Sequence, residues 1–384
     1  MQELFWLLLP VAALSGWWIG RREQPGEHRR RSGAMSSGYL KGLNYLLNEQ
    51  QDKAIEVFTR MVEVDGDTAE LHFALGSLFR RRGEVDRAIR IHQNLLARPA
   101  MDRSQRAQAL LELGQDYMKA GLLDRAEALF EQVIEANTHV VPALRQLLSI
   151  HQQEKDWDSA IAVARRLESR QVGGMRQLIA QFQCELAEQA LQAGDQRRAA
   201  QLLKRALADD PNCVRASILQ GQLEQARGND RAALKAYMRV EEQDPEFLQE
   251  VLEPLRSCCI RLRRTDALLD YLERLARDRP SDAVSLALAD ILSEQRGAQA
   301  AADYLAGVLR RAPSVPVLAR AAPLVAALVA GAAKADVELL QSALAELVSQ
   351  HSSYACRQCG FSGRTLYWQC PSCRHWGTVK PTLS

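Results

Sequence analysis

The sequence predicts an all-α protein: a solenoid of stacked helical hairpins, preceded by one N-terminal membrane helix and followed by a small metal-binding domain. Three observations lead to this fold class. Aromatic residues make up only 6% of the 384 residues, a bias that favours helix over sheet. Helical segments recur at a fixed interval, and two pairs of cysteines lie near the C-terminus. The net charge of +2 gives no bulk attraction to nucleic acid.

The predicted membrane helix occupies residues 1–20, where an apolar run carries no charge after Glu3. Seventeen uncharged residues span about 25 Å as a helix, at the short end for crossing a bilayer. Arg21 and Arg22 follow the run, so the positive-inside rule places the N-terminus outside and all later residues in the cytoplasm. A secretory signal peptide is the alternative, but it needs basic residues before its apolar run. Residues 21–37 are polar and are predicted to form a juxtamembrane linker.

Ala12, Gly16 and Gly20 are spaced by four residues and therefore share one face of this helix. Small residues at this spacing let two membrane helices approach closely. We interpret them as candidate contacts with another membrane helix. The alternative is that glycine and alanine are simply frequent in membrane helices.

A 34-residue repeat fills the middle of the sequence. Alanines mark the interval in two series: Ala54 and Ala88, and then Ala199, Ala233, Ala267 and Ala301. Gly194 and Gly228 lie five residues before their alanines, at a predicted turn between two helices. This period is that of tetratricopeptide repeats, each a pair of antiparallel helices. We predict a tetratricopeptide-repeat superhelical solenoid over residues 38–350, with about eight units and a final helix pair.

The repeat predicts a binding surface and no catalytic centre. One hairpin cannot bury its apolar face alone, so stacking supplies the core and leaves a concave groove that suits protein partners. The sequence contains no G-x-x-x-x-G-K-[ST], H-E-x-x-H or G-x-S-x-G motif. The histidines of the repeats fall in different units, and we interpret them as packed or surface residues. No catalytic residue and no organic cofactor is predicted.

The C-terminal motif C-x2-C-x10-C-x2-C has the spacing of a four-thiolate metal site. Its ligands are predicted to be Cys356, Cys359, Cys370 and Cys373. Four protein ligands leave no open coordination position, so catalysis by the metal is not expected. One metal ion per protein molecule is predicted, with zinc favoured over iron because the loop is short and no redox-partner motif is present. Residues 354–384 are too few for a core of their own, and metal binding must fold this rubredoxin-like domain.

Aromatic and basic side chains are dense in this terminal domain. They are Tyr354, Phe361, Tyr367, Trp368, Trp376, Arg357, Arg364, Arg374, His375 and Lys380. We expect the aromatic rings to cover the metal and pack the domain onto the last helices. Base stacking on RNA is the alternative use of such rings, but a membrane anchor and a near-neutral net charge argue against a nucleic-acid partner.

The order of these parts resembles the lipopolysaccharide assembly protein B family of Gram-negative bacteria, over essentially the whole sequence. The most specific stretches are "LLLPVAALSGWWIGRR", "LFRRRGEVDRAIRIHQNLL" and "CRQCGF…TLYWQCPSCRHWGTVKP". The resemblance implies a regulatory scaffold of the inner membrane that faces the cytoplasm and is not an enzyme. It implies that the membrane protease FtsH degrades the deacetylase LpxC with the help of this protein. It also implies an opposing partner, related to the inner-membrane protein PbgA/YejM, near the membrane helix.

Two other functions stay open at this point. A membrane-tethered organiser could gather lipopolysaccharide synthesis and export proteins without delivering anything to a protease. A redox protein with an iron site would be red and would show a reversible redox signal. The residues that bind partners in the groove and the formation of a homo-oligomer are not fixed by any motif.

Overall fold

The computed structural model describes most of the residues that follow the predicted membrane segment. The described residues are 37–48, 50–64, 69–99, 101–328, 332–350 and 353–382. The predicted membrane helix, with Ala12, Gly16 and Gly20, and almost all of the linker lie outside them. Within the described residues, no helix combines the length and apolarity needed to cross a bilayer.

The described residues divide into two compact units, and the first ends at residue 146. Its helices pair in sequence order, each pair joined by a short turn. They are α1 (Ser37–Leu47), α2 (Gln51–Val64), α3 (Ala69–Arg82), α4 (Val85–Leu96), α5 (Arg103–Lys119), α6 (Leu123–Glu135) and the first part of α7 (Val140–Glu154). Apolar side chains of α2, α3 and α4 form one buried cluster, which includes Phe58, Leu75 and Leu78.

The second unit comprises residues 147–384. After the end of α7 its helices are α8 (Trp157–Ser169), α9 (Met175–Gln192), α10 (Gln196–Asp209), α11 (Val214–Ala226), α12 (Asp230–Met238), α13 (Val240–Gln243), a 3-10 turn (Pro245–Phe247), α14 (Gln249–Arg261), α15 (Thr265–Asp278), α16 (Asp282–Arg296), α17 (Ala298–Arg311), α18 (Val315–Leu328) and α19 (Ala332–Gln350). One apolar core runs from Val214 to Leu324.

The repeat alanines occupy one structural position, the fourth residue of the second helix of a hairpin. There they are fully buried, and they are Ala54, Ala88, Ala126, Ala160, Ala199, Ala233 and Ala301. A small side chain at this position lets the two helices of a hairpin approach closely. Gly194 and Gly228 lie in the preceding turns with φ of 78° and 77°, a left-handed conformation that glycine adopts without strain.

The predicted series of repeat alanines is wrong at one position. Ala267 is exposed, and Leu268 takes the buried fourth position of α15 instead. The interval from Ala233 is therefore 35 residues. The irregular segment between α12 and α14, with the 3-10 turn at Pro245–Phe247, accounts for the shift of one residue.

A glycine on the first helix of several hairpins faces an aromatic ring on the second helix. A Cβ atom at Gly114 would lie 2.5 Å from Cε1 of Phe130, and one at Gly42 would lie 2.5 Å from Cε1 of Phe58. Both rings are fully buried. The aromatic ring thus occupies the volume that the side chain of any residue other than glycine would need at this position.

Replacing Gly114 with alanine is expected to lower the free energy of unfolding by about 1–2 kcal/mol, because the overpacking penalty exceeds the gain in helix propensity. Urea unfolding followed by circular dichroism measures the change. Gly307→Ala is the matched control, since a Cβ atom at Gly307 in α17 would meet no described residue within 4 Å. This substitution should stabilise the helix by about 1 kcal/mol. Equal stability of Gly114→Ala and the wild type would contradict this packing.

A small sheet follows the helices. Strands β1 (Tyr354–Cys356), β2 (Ser362–Gly363) and β3 (Val379–Pro381) pair in the antiparallel order β2-β1-β3. Tyr354 lies opposite Gly363 on one side and Pro381 on the other. We call residues 354–382 the ribbon.

Candidate metal centre

The ribbon brings the four predicted cysteine ligands together. Their sulfur atoms all lie within 4.8 Å of one another, and the Sγ atoms of Cys356 and Cys373 are 3.7 Å apart, as are those of Cys359 and Cys370. A disulfide would bring two sulfurs to about 2.05 Å. Four sulfurs bound tetrahedrally to zinc at about 2.3 Å lie about 3.8 Å from each other. The distances between the sulfurs therefore match a four-thiolate metal site. They are too long for disulfide bonds, so the cysteines are reduced.

Two similar backbone loops present these sulfurs. In the first loop the N–H of Gly360 donates to the carbonyl of Cys356 at 3.0 Å, and in the second the N–H of Arg374 donates to the carbonyl of Cys370 at 2.8 Å. Gly360 has φ of 75° and Arg374 has φ of 59°. The arginine thus adopts the left-handed conformation that glycine provides in the first loop, at a cost of about 1–2 kcal/mol.

The thiols differ in acidity before any cation binds. The hydroxyl of Thr378, 3.3 Å from Sγ of Cys356, is the main cause that lowers the pKa of that thiol to about 6. At Cys373 the N–H of His375 favours the thiolate, but burial and the other three sulfurs outweigh it and raise the pKa to about 12. Negative charge on one sulfur therefore opposes charge on its neighbours. A bound cation removes that opposition, since each ligand sulfur must be a thiolate.

A metal ion held by these four sulfurs would be enclosed by the protein and would support folding. Four cysteine sulfurs complete a tetrahedral coordination shell, the arrangement of structural zinc sites. The buried apolar residues of the ribbon are few: Cys356, Cys370 and Val379 form a cluster with Tyr354, Phe361 and Leu366 packed against it, and Pro381 is also buried. A metal ion at this site would supply the folding free energy that so small a core lacks.

The ribbon packs on the middle of the second unit, and the expectation that it packs on the last helices is wrong. Trp376 meets Trp157 and Phe182 edge-on, with ring centroids 5.9 Å and 5.8 Å away. Its indole N–H donates to Oε1 of Gln152 at 3.0 Å. Trp368 stacks on Phe247 with ring centroids 5.3 Å apart. These partners lie on or beside α7, α8, α9 and the 3-10 turn.

Polar contacts between the ribbon and residues 244–250 add to this packing. The hydroxyl of Tyr354 donates to Oε1 of Glu250 at 2.7 Å, and burial is the main cause that raises the pKa of Tyr354 to about 12. Arg357 donates to Glu246 at 3.0 Å, and Lys380 pairs with Asp244. Two of the basic side chains of the ribbon are thus neutralised by carboxylates of the same protein molecule.

Arg215, on α11, is a central residue of this contact that the sequence analysis did not identify. It is 2% exposed, and its guanidinium carbon lies 5.8 Å and 5.9 Å from the ring centroids of Trp368 and Trp376. Its Nη2 donates to Glu185 at 2.7 Å and to Glu188 at 2.9 Å. The two carboxylates and two rings stabilise a charge that would otherwise be costly to bury. An arginine among apolar residues at the start of a repeat helix is the one sequence signal that could have found it.

This fold and this site define a class, the tetratricopeptide-repeat proteins that carry a rubredoxin-type metal-binding ribbon. The family model described as "Rubredoxin metal binding domain" matches residues 354–381, and models described as "Tetratricopeptide repeat" match residues 71–107, 111–173 and 184–246. The chain belongs to the lipopolysaccharide assembly protein B family, which confirms the resemblance stated from the sequence.

Curated relatives from Escherichia coli and Haemophilus influenzae carry that name. The protein from Escherichia coli K12 is 41% identical over 99% of this chain and 98% of its own. The protein from Haemophilus influenzae Rd is 36% identical, again over 99% of this chain and 98% of its own. Among solved structures, the C-terminal part of a TPR repeat-containing protein from Cytophaga hutchinsonii is 15% identical, with a TM-score of 0.39, over 69% of this chain and 98% of that one.

Proposed function

We propose that this protein is a non-enzymatic adaptor of lipopolysaccharide assembly, held at the cytoplasmic face of the inner membrane, that promotes degradation of the deacetylase LpxC by the protease FtsH. The observation that carries the proposal is the match to proteins named lipopolysaccharide assembly protein B along 99% of the sequence. A metal centre whose four ligand positions are all cysteine sulfurs supports a structural metal ion, for which we propose zinc.

The contacts of the ribbon support a role in binding other proteins. The ribbon contacts residues that are widely separated in sequence, from Gln152 to Glu250. Stacked hairpins otherwise touch only their neighbours. A ribbon that contacts several hairpins at once holds them in one relative arrangement, and a fixed arrangement lowers the entropic cost of binding a partner.

The predicted membrane helix over residues 1–20 would confine this surface to the membrane that also holds the protease. Confinement raises the effective concentration of the adaptor near the protease, so weak contacts suffice. In this proposal Ala12, Gly16 and Gly20 contact the PbgA/YejM-like inner-membrane partner, which opposes delivery of the deacetylase.

The test is the half-life of the deacetylase after depletion of this protein from growing cells. We expect a longer half-life, restored by the full-length protein and restored only weakly by a variant without residues 1–20. Cells that lack FtsH activity are the control, because depletion should have no further effect in them. An unchanged half-life after depletion would reject protease delivery and favour a membrane-tethered organiser of synthesis and export proteins.

A further inference from the structure

A cleft of about 510 Å³ lies between the ribbon and the helices of the second unit. One wall is formed by α9 and the start of α11, with Gln177, Gln181 and Arg215 among its residues. The opposite wall is formed by the ribbon, with Trp368 and Trp376. Ligand sites in proteins fall in this range of volume.

Two residues that line this cleft, Arg215 and Gln181, each have a buried polar atom with no hydrogen-bond partner among the described residues, one a donor and the other an acceptor. Arg215 is 2% exposed, and its Nε and Nη2 donate to Glu188 and Glu185 while its Nη1 has no acceptor. The Nε2 of Gln181 donates to the sulfur of Cys213 at 3.7 Å, while its buried Oε1 has no donor in the part of the protein that the structure describes. Buried polar groups are nearly always paired, so a donor and an acceptor left unpaired in one cleft indicate a ligand that supplies both partners.

The charges of the cleft do not select an anion or a cation. Arg374 and Lys380 line it together with Asp210 and Asp244. Lys380 is paired with Asp244, and the carboxylate of Asp210 accepts the N–H of Asn212 at 3.1 Å. Arg215 shares its charge with two glutamates. A neutral ligand therefore fits better than a phosphate or a carboxylate.

We propose that the cleft binds an extended peptide segment of a partner protein. Along such a segment a backbone carbonyl accepts from Nη1 of Arg215, and a backbone N–H donates to Oε1 of Gln181. Phe247, Trp368 and Trp376 offer aromatic walls for apolar side chains. The proposal deepens the adaptor function and rests on it only for the biological source of the peptide.

The metal ion and the peptide site are coupled in this arrangement. The ribbon supplies one wall of the cleft, and the metal ion would fold the ribbon. Removing the metal ion therefore removes half of the site, and by linkage a bound peptide slows loss of the metal ion.

The test starts from a phage-displayed library of random dodecapeptides, selected on the full-length, metal-loaded protein in detergent. Peptides that also bind the Gln177→Trp variant are subtracted. Gln177 is exposed on the cleft wall, so a tryptophan there should fill the cleft without disturbing the core. Gln189→Trp, an exposed position of the same helix outside the cleft, is the matched control.

A fluorescein-labelled peptide from the selection is then titrated with each variant and followed by fluorescence anisotropy. We expect saturable binding to the wild type and to Gln189→Trp, no binding to Gln177→Trp, and binding weakened about tenfold in Gln181→Leu, which loses one hydrogen bond. Chelation of the metal ion should abolish binding. Unchanged thermal unfolding of Gln177→Trp shows that its loss of binding is local.

Several outcomes would overturn the proposal. These are a selection that enriches no peptide after subtraction, equal binding to Gln177→Trp and the wild type, and saturable displacement of the peptide by inorganic phosphate at constant ionic strength, which would assign the cleft to an anion. The deacetylase half-life is a separate readout. A half-life that responds to depletion but not to Gln177→Trp would leave the adaptor function standing and reject the cleft as its peptide site.

Discussion

Serine in place of both Cys356 and Cys359 is expected to unfold the ribbon while the helical repeats stay folded. Serine removes two of the four sulfurs that lie within 4.8 Å of one another, and a hydroxyl is a poor ligand for a metal ion that prefers thiolates. Binding of a structural zinc ion contributes about 10–16 kcal/mol to the folding of small domains of this kind. The few apolar residues of the ribbon cannot replace that contribution.

Tryptophan emission and limited proteolysis report the expected change. Trp368 and Trp376 pack on aromatic rings and on Arg215 in the folded protein, so their emission should shift to longer wavelength when the ribbon unfolds. Trypsin should cut after Arg357 and Arg364 in the variant and spare both sites in the wild type. Far-ultraviolet circular dichroism should stay almost unchanged, because the helices are stabilised by contacts between neighbouring hairpins.

Cys259→Ser is the matched control, since Cys259 is a buried cysteine of α14 outside the ribbon. It should leave trypsin resistance and emission as in the wild type. A double variant of Cys356 and Cys359 that keeps a protease-resistant ribbon would show that the sulfurs do not hold it together. Under the proposed adaptor function, the double variant should also extend the half-life of the deacetylase in cells.

The repeat could be predicted from the sequence because its constraints are local. A buried alanine at the fourth position of a helix and a glycine in the turn before it recur with the hairpin itself, as at Ala199 and Ala233. The same rule assigned the buried position to Ala267, which is wrong. The 3-10 turn at Pro245–Phe247 adds one residue to the repeat, and a periodic pattern does not predict such an insertion. The four cysteine ligands could also be predicted from the sequence, since the geometry of a metal site limits the spacing of its ligands.

The position of the ribbon could not be predicted, because it depends on contacts between residues far apart in sequence. Trp376 and its partner Gln152 are separated by more than half of the sequence. Local patterns identify Trp376 as an aromatic residue of a small domain, and they identify Gln152 as a polar residue of a helix. Only the three-dimensional structure shows that these side chains meet, and that Arg215 lies against both tryptophans of the ribbon.

Alanine in place of Trp376 is expected to detach the ribbon from the helices without releasing the metal ion. The substitution removes the edge-on contacts with Trp157 and Phe182 and the hydrogen bond to Gln152. Truncation of a packed tryptophan costs about 3–5 kcal/mol, which is a large share of what two tryptophans and a few ion pairs can contribute to docking. The sulfur cluster lies within the ribbon and should keep its metal ion.

Hydrogen exchange read by mass spectrometry separates docking from metal binding. In Trp376→Ala, exchange should accelerate in residues 244–250 and around Gln152, while metal analysis still finds one ion per protein molecule. Trp376→Phe keeps a ring but loses the indole N–H, and should cost about 1 kcal/mol. Tyr367→Ala is the control, since Tyr367 is a partly exposed aromatic of the same ribbon that contacts Phe361.

The two ribbon variants together test which property of the ribbon the proposed adaptor function needs. The double cysteine variant loses both the folded ribbon and its docking, whereas Trp376→Ala should lose docking alone. A long deacetylase half-life in both variants would mean that degradation requires the fixed arrangement of the helices. A long half-life in the cysteine variant only would mean that the folded ribbon acts on a partner without docking. Unchanged hydrogen exchange in Trp376→Ala would show that Trp376 contributes little to the docking free energy.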